Sequence, residues 1–309
     1  MNDDIGSYEK VNYLLRLRKQ IERKMIIELL QRMTKRLQID TYQYIGFGSV
    51  YFADFILFHK YLHIDKMVSL EKDKKKKKRF QFNKPYDFID LKMKSSTMFL
   101  NDGINWKVPL IIWFDYDYSI TMEMIEDIRR IAIYAKPNDL LFITIDAESS
   151  DEPEDIEDFL EEYKIYIGSD IDVKKAKEKF STVLHRMVVS ALNDGKNQRQ
   201  SPIKISQLLN LEYKDTHKMY TYGCLFESPT SSLVKECNLH NLKFVSTGNK
   251  VFEIKCPLLT PKEKFHLDSC INEEKKCIDE KNLIGLEKKV LEDYCNFYKY
   301  YPQFFESIY

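Results

Sequence analysis

The residues best suited to chemistry lie in YIGFGSVYF, Tyr44 to Phe52. Tyr42 to Ile45 read as a short strand leading in, and Val50 to Leu62 as the helix leading out. Gly46 and Gly48 form the turn between them, where glycine permits positive φ and close approach of a ligand to the backbone. The amides of Phe47, Gly48, Ser49 and Val50 are then expected to open the helix, and its positive dipole end favours a carboxylate or phosphate. The following strand, in KMVSLEKD, ends at Glu71 with Lys72 behind it. An acid at that place can accept hydrogen bonds from both hydroxyls of a ribose. Strand, glycine turn, helix, strand and terminal acid together fit a nucleoside-bearing cofactor.

The elements that must hold these residues alternate. Residues 13–37 read as a helix, with Leu14, Leu17, Ile21, Met25, Leu29 and Leu30 at helical spacing. FIDLKM, PLIIWF and DLLFITID read as strands, and Thr121 to Ala135 as a helix. Apolar runs of this kind suit a parallel sheet buried on both faces, giving an α/β fold. Ligands in such sheets bind at the carboxyl ends of the strands. Those ends carry Gly46 and Gly48, Glu71, Lys94-Ser95-Ser96, Asp115-Tyr116-Asp117 and Asp146. Asp115 and Asp117 have the chemistry to accept a hydroxyl proton, position an acceptor or hold Mg²⁺. The plainer alternative is that Asp117, Ser119 and Thr121 open the next helix as caps. Tyr116 can stack on a flat substrate or an adenine.

Arg16, Lys19 and Arg23 share one face of the first helix. They read either as a cationic lid over a cofactor carboxylate or anionic substrate, or as a solvated face partly balanced by Glu22 and Glu28. Lys74 to Lys78 with Arg79 form a basic run that more often marks a solvated face or loop than a phosphate site. After Asp146 the pattern changes. Residues 147–162 are acidic, 173–194 look helical, and LNLEYKD and KMYTYGCLF flank Thr216-His217 as a hairpin. LKFVSTGNKVFEIK reads as a second hairpin turning at Thr247-Gly248-Asn249. An aromatic helix from about Leu283 to Tyr301 is expected to dock on the core. The division expected is 1–40 as an N-terminal helical segment, 41–227 as the cofactor-binding domain, and 228–309 as a hairpin and helical extension packed on it.

The 309 residues carry 48 Lys+Arg and 48 Asp+Glu, so net charge gives no support for non-specific nucleic-acid binding. No apolar run reaches the length of a membrane span, and no secretory leader is read in MNDDIGSYEK. The six cysteines form no CxxC pair and read as reduced thiols of a cytosolic protein. Cys237 and His240 have metal-pair spacing without a second pair, and His59, His63, His185, His217 and His266 suggest no triad, so no metal is expected.

With RKQIERKMI, YIGFGSVYFADF, SLEKD, RFQFNKP and WFDYD on the page, residues 12–146 resemble class I S-adenosylmethionine-dependent methyltransferases, and more narrowly a family of bacterial O-methyltransferases without an assigned substrate. The resemblance implies a Rossmann-like seven-stranded sheet with an N-terminal helix and a C-terminal α+β extension. It implies S-adenosylmethionine as cofactor, with Gly46 to Ser49 at its methionine part, Glu71 and Lys72 near the ribose, and Ser95 and Ser96 at the adenine edge. Asp115 or Asp117 would serve the acceptor, and a methyl acceptor is the implied partner. Two positions depart from the family's glycine motif. Tyr44 stands where an acid is usual, and Val50 where a third glycine is usual. They keep a second reading open, a non-catalytic nucleotide-binding or protein-interaction module, with residues 151–309 facing a partner, including in a bacterial defence complex. A nicotinamide oxidoreductase is disfavoured by the incomplete glycine run. A nucleic-acid aminomethyltransferase is disfavoured because FDYDYS lacks the Asn/Asp-Pro-Pro-aromatic sequence.

Overall fold

The computed structural model describes residues 15–271 and 284–302. In chain order its main elements are α1 (Leu17–Met33), β1 (Gln43–Gly46), α2 (Ala53–Leu62), β2 (Lys66–Leu70), α3 (Lys77–Asn83), β3 (Ile89–Lys92), α4 (Ser96–Asp102), β4 (Leu110–Asp115), α5 (Met122–Tyr134) and β5 (Leu140–Asp146). There follow α6 (Pro153–Glu162), α7 (Lys164–Ile167), α8 (Val173–Glu178), α9 (Phe180–Asn197), β6 (Lys204–Lys214), β7 (Lys218–Glu227), α10 (Leu233–Glu236), β8 (Phe252–Glu253), α11 (Pro261–Ser269) and α12 (Lys288–Phe297).

The strands form one sheet in the order β3-β2-β1-β4-β5-β7-β6-β8. β1 to β5 are mutually parallel, and β7 runs antiparallel to both β5 and β6. The order reverses between β1 and β4, which lie side by side, so their carboxyl ends flank the crevice where such sheets take ligands. β4 and β5 are buried along nearly their whole length, as a sheet covered on both faces requires. Alternation sorts their side chains. Ile111 and Trp113 face a layer with α1, α2 and the C-terminal segments, while Ile112 and Phe114 face α5 and α9.

α1 is buried on most of its circumference, through Ile21, Met25, Ile26, Leu29 and Leu30 and also through Lys19, Glu22 and Arg23. No neighbouring side chain caps its start. Asp215, in the β6–β7 turn, does so instead by accepting hydrogen bonds from the Arg18 and Lys19 amides at 3.0 and 3.1 Å.

Three expectations need correction. The helix after the glycine turn begins at Ala53 rather than Val50, because Ser49 and Phe52 take left-handed φ values of 48° and 46°. The sheet has eight strands, the last a two-residue parallel addition to β6. Residues 242–255 form no hairpin. Side chains of β6 satisfy that segment, with Gln207 Nε2 donating to the Ser246 and Gly248 carbonyls at 2.7 and 2.9 Å and Asn210 donating to Gly248. The C-terminal helix does dock, burying Leu291, Tyr294 and Phe297. The five described cysteines are free thiols, and Cys277 and Leu283 lie outside the described residues.

Candidate active site

β1, β2 and β4 end beside one another and present three loops: 47–52, 71–76 and 116–121. Gly46 and Gly48 are required by packing more than by conformation. Neither has positive φ. A Cβ on Gly46 would meet the Tyr44 hydroxyl at 2.5 Å, and one on Gly48 would meet the Phe52 ring and Ser69 Oγ at 2.6 Å. The Gly48 amide donates to that same Ser69 hydroxyl at 3.2 Å. Space that the glycine pattern suggested for a ligand is therefore partly taken by the protein's own side chains. The strained positions are Ser49 and Phe52, non-glycine residues whose left-handed backbone costs about 1–3 kcal/mol each. Phe47 stacks on Phe114 with ring centroids 5.2 Å apart and meets Tyr116 edge-on.

Glu71 continues the β2–β3 ladder through its amide, which donates to the Lys92 carbonyl at 2.9 Å. Its carboxylate accepts from the Ser49 amide. The other fact about it is more telling, since Oε1 is buried without a hydrogen-bond partner. Burial pushes the Glu71 pKa up, and the Ser49 amide only partly opposes this. The nearby Asp117 and Asp73 push it further, to about 8. Lys72 does not reach back to neutralise Glu71, because its ammonium lies 4.9 Å over the Tyr118 ring.

Ser95 and Ser96 are both used inside the protein. Ser95 is the N-cap of α4, accepting from the Met98 amide at 3.2 Å. The Ser96 hydroxyl accepts from Tyr116 at 3.1 Å, and the Tyr116 hydroxyl also lies 3.2 Å from Asp127. Tyr116 is buried rather than offered as a stacking platform.

The two aspartates after β4 point to different fates. Asp117 is exposed at the mouth and close enough to raise both Glu71 and Asp146. Asp115 turns the other way, toward α1, where Lys19 Nζ lies 2.7 Å from its Oδ1 and 2.6 Å from Glu22 Oε2. Burial raises the Asp115 pKa, but Lys19, Arg23 and Arg16 more than offset that, leaving it below the usual carboxylate range. Glu22 is shifted the opposite way, upward, with burial outweighing Lys19. Lys19 also sits 4.6 Å over the Trp113 ring.

Lys19 and Arg23 share a face of α1 that points inward, with Arg16 at its N-cap. Neither a lid over open space nor a solvated face describes it. Arg23 is ion-paired with Asp54 and Arg16 with Asp215. A hydrogen-bond chain continues from Glu22 into the sheet. The Trp113 indole can only donate, so it donates to Thr144 at 3.0 Å; Thr144 then donates to Thr221 at 3.0 Å, and Thr221 to Glu22. Sequence spacing offered a hint of Glu22 alone, three residues beyond Lys19. Asp54, Asp127, Thr144, Asp215 and Thr221 join the site through the topology, with no local signal.

A family model described as "Putative O-methyltransferase" matches residues 11–309. No curated protein matches the sequence. Among solved structures, Trm1 from Pyrococcus horikoshii with S-adenosyl-L-methionine is similar at 10% identity and a TM-score of 0.48, covering 68% of this chain and 55% of that one. The chain thus spans about half of the Trm1 length. The N-methyltransferase NodS from Bradyrhizobium japonicum, with S-adenosyl-L-homocysteine, is similar at 9% identity and a TM-score of 0.38, covering 68% of this chain and 88% of that one.

Proposed function

The chain belongs to this O-methyltransferase family, and from that premise we propose that it transfers a methyl group from S-adenosylmethionine to a hydroxyl oxygen at the carboxyl ends of β1, β2 and β4. The observation that carries the reading is the orphaned, buried Oε1 of Glu71. A ribose diol supplies the two donors that a carboxylate at the end of β2 lacks. Glu71, Asp73, Asp117 and Asp146 make the mouth acidic. These carboxylates suit the sulfonium cation.

When bound, the cofactor supplies an electrophilic methyl carbon on a sulfonium. The roles of the chain's residues follow from their surroundings. Glu71, oriented by the Ser49 amide, would hold the nucleoside end, with the stacked Phe47–Phe114 pair beside it. The acceptor hydroxyl would give its proton to a carboxylate as its oxygen takes the methyl group that the cofactor would supply. Asp117 suits that role because it stands exposed at the mouth. Asp115 does not, because Lys19 holds it as a stabilised anion. Lys19 and Asp115 are positioning residues that fix the end of β4 against α1.

One observation favours the non-catalytic reading. Tyr44, Phe52 and Ser69 fill the volume beside Gly46 and Gly48 where the methionine end would lie. Calorimetry with S-adenosylmethionine separates the two. Micromolar binding that is lost in Glu71→Ala, with no binding of NAD, supports the enzyme. Absence of binding to the unaltered protein leaves the interaction module.

A further inference from the structure

Directly after Glu71 the chain carries the densest charge in the molecule. Seven of the eight residues from Lys72 to Arg79 are cationic. Lys74, Lys75, Lys77 and Lys78 are exposed and, among the described residues, have no acidic partner within 4.0 Å. They open a 3₁₀ turn that runs into α3, anchored by the buried Phe80. Lys78, Arg79 and Phe82 lie at helical spacings of three and four, so they share a face. Phe82 is 88% exposed, more than any other large apolar side chain among the described residues.

On the far side of the mouth, after β5, the charge inverts. Residues 147–162 hold nine acids and no Lys or Arg, most of them exposed on and before α6. β2 and β5 stand three strand spacings apart, roughly 14 Å. The crevice therefore has a basic lip bearing an aromatic ring and an acidic lip opposite. A polyanion is held on the first and turned away from the second.

We infer that the methyl acceptor is a single-stranded RNA, held by Lys74, Lys75, Lys77 and Lys78 through its phosphates and by Phe82 through base stacking, so that a 2′-hydroxyl enters the crevice past Glu71. The inference rests on the proposed methyl transfer to oxygen. Cations tracking a backbone with an exposed aromatic ring among them make the sequence-tolerant platform for single strands. RNA alone among nucleic acids presents a hydroxyl acceptor at every nucleotide. The neutral total charge confines the attraction to this lip, and the acidic lip sets the side from which the strand arrives.

The test is fluorescence anisotropy of a short fluorescein-labelled single-stranded RNA with the full chain, at several salt concentrations, beside S-adenosylmethionine calorimetry on the same samples. The unaltered protein should bind with affinity falling steeply with salt. The combined variant Lys74→Glu, Lys75→Glu, Lys77→Glu, Lys78→Glu should lose binding, and its logarithmic salt slope should flatten by about 3, from ~0.7 per lost phosphate contact. Phe82→Ala should weaken binding about tenfold with the slope unchanged. Glu154→Gln with Asp155→Asn and Asp158→Asn should tighten it at low salt. All these side chains are exposed, so cofactor binding should persist in every variant. Labelled methyl should enter the RNA and not a DNA of the same sequence. Cofactor binding without RNA binding, RNA binding indifferent to the lysines, or equal methylation of DNA would each overturn the inference and leave the proposed function standing. Failure to bind cofactor would overturn the proposed function first. A salt-sensitive doubling of mass, abolished by altering either lip and without RNA binding, would assign the two lips to each other in a dimer instead.

Discussion

Two groups of charges stand near the ends of the same parallel strands and are settled in opposite ways. On the α1 side, buried Lys19 bridges buried Glu22 and half-buried Asp115, with Arg23–Asp54 and Arg16–Asp215 beside them. On the β2 side, Glu71 is half-buried, with one buried oxygen unanswered and further acids around it. The first group is tied within the protein by ion pairs and works as a fastening. The second holds a buried acceptor oxygen that no donor among the described residues reaches. Burial of a charge does not by itself mark a site; what distinguishes Glu71 is an oxygen with neither an ion pair nor a hydrogen bond.

The contrast breaks most sharply at Lys19. Lys19→Met should destabilise the fold by about 3–5 kcal/mol, because it leaves Asp115 and Glu22 buried without their cation. Denaturant titration measures this, and adding Asp115→Asn to Lys19→Met should recover part of the loss. A Glu71→Ala protein should behave inversely, losing no stability at neutral pH while cofactor affinity falls about a hundredfold through loss of charge-assisted hydrogen bonds. Gly48→Ala should cost about 1–3 kcal/mol, since its Cβ would fall 2.6 Å from Phe52 and Ser69. Loss of cofactor affinity without loss of stability in that variant would show that the turn yields toward the crevice.

A further effect is in pH. Glu71 has a folded pKa of about 8, above an unfolded value of about 4.3, so the folded state binds the extra proton between those values. Its contribution to stability is full below the unfolded pKa and is lost as pH rises through about 8. Glu71→Gln should remove that decline, and thermal melts of the two proteins should diverge progressively from about pH 4.3 to about 8 and run parallel above it. A ribose diol favours the charged form of Glu71, so cofactor affinity should rise with pH up to about 8 and then level. Buffer-dependent binding heats would show the released proton.

Much of the frame was legible in the chain. β1, β2, β4 and β5 are short apolar runs closed by turn residues, and Glu71 follows from its distance to Gly46 and Gly48. What escaped was contingent on tertiary contact. The start of α2 moved to Ala53 because Ser49 and Phe52 take a backbone conformation that local propensity disfavours. The 242–255 hairpin failed because Gln207 and Asn210 satisfy its carbonyls from β6. Arg16, Lys19 and Arg23 were visible as a charged stripe, but a stripe of charge looks the same whether it faces water or acids brought from residues 54, 115 and 215.

The cap that Asp215 places on α1 has a consequence for the making of the protein. Once α1 has left the ribosome, its N-terminal amides meet their acceptor only after about two hundred more residues have been joined. Throughout that interval Ile21, Met25, Ile26 and Leu29 lack the hairpin that helps to close over them. Synthesis therefore passes through a long nascent stage with an open apolar helix, the stage at which chaperone occupancy and aggregation compete. Release of the β6–β7 turn is the event that ends it, and a truncation stopping short of Asp215 should remain chaperone-bound where the full chain goes free.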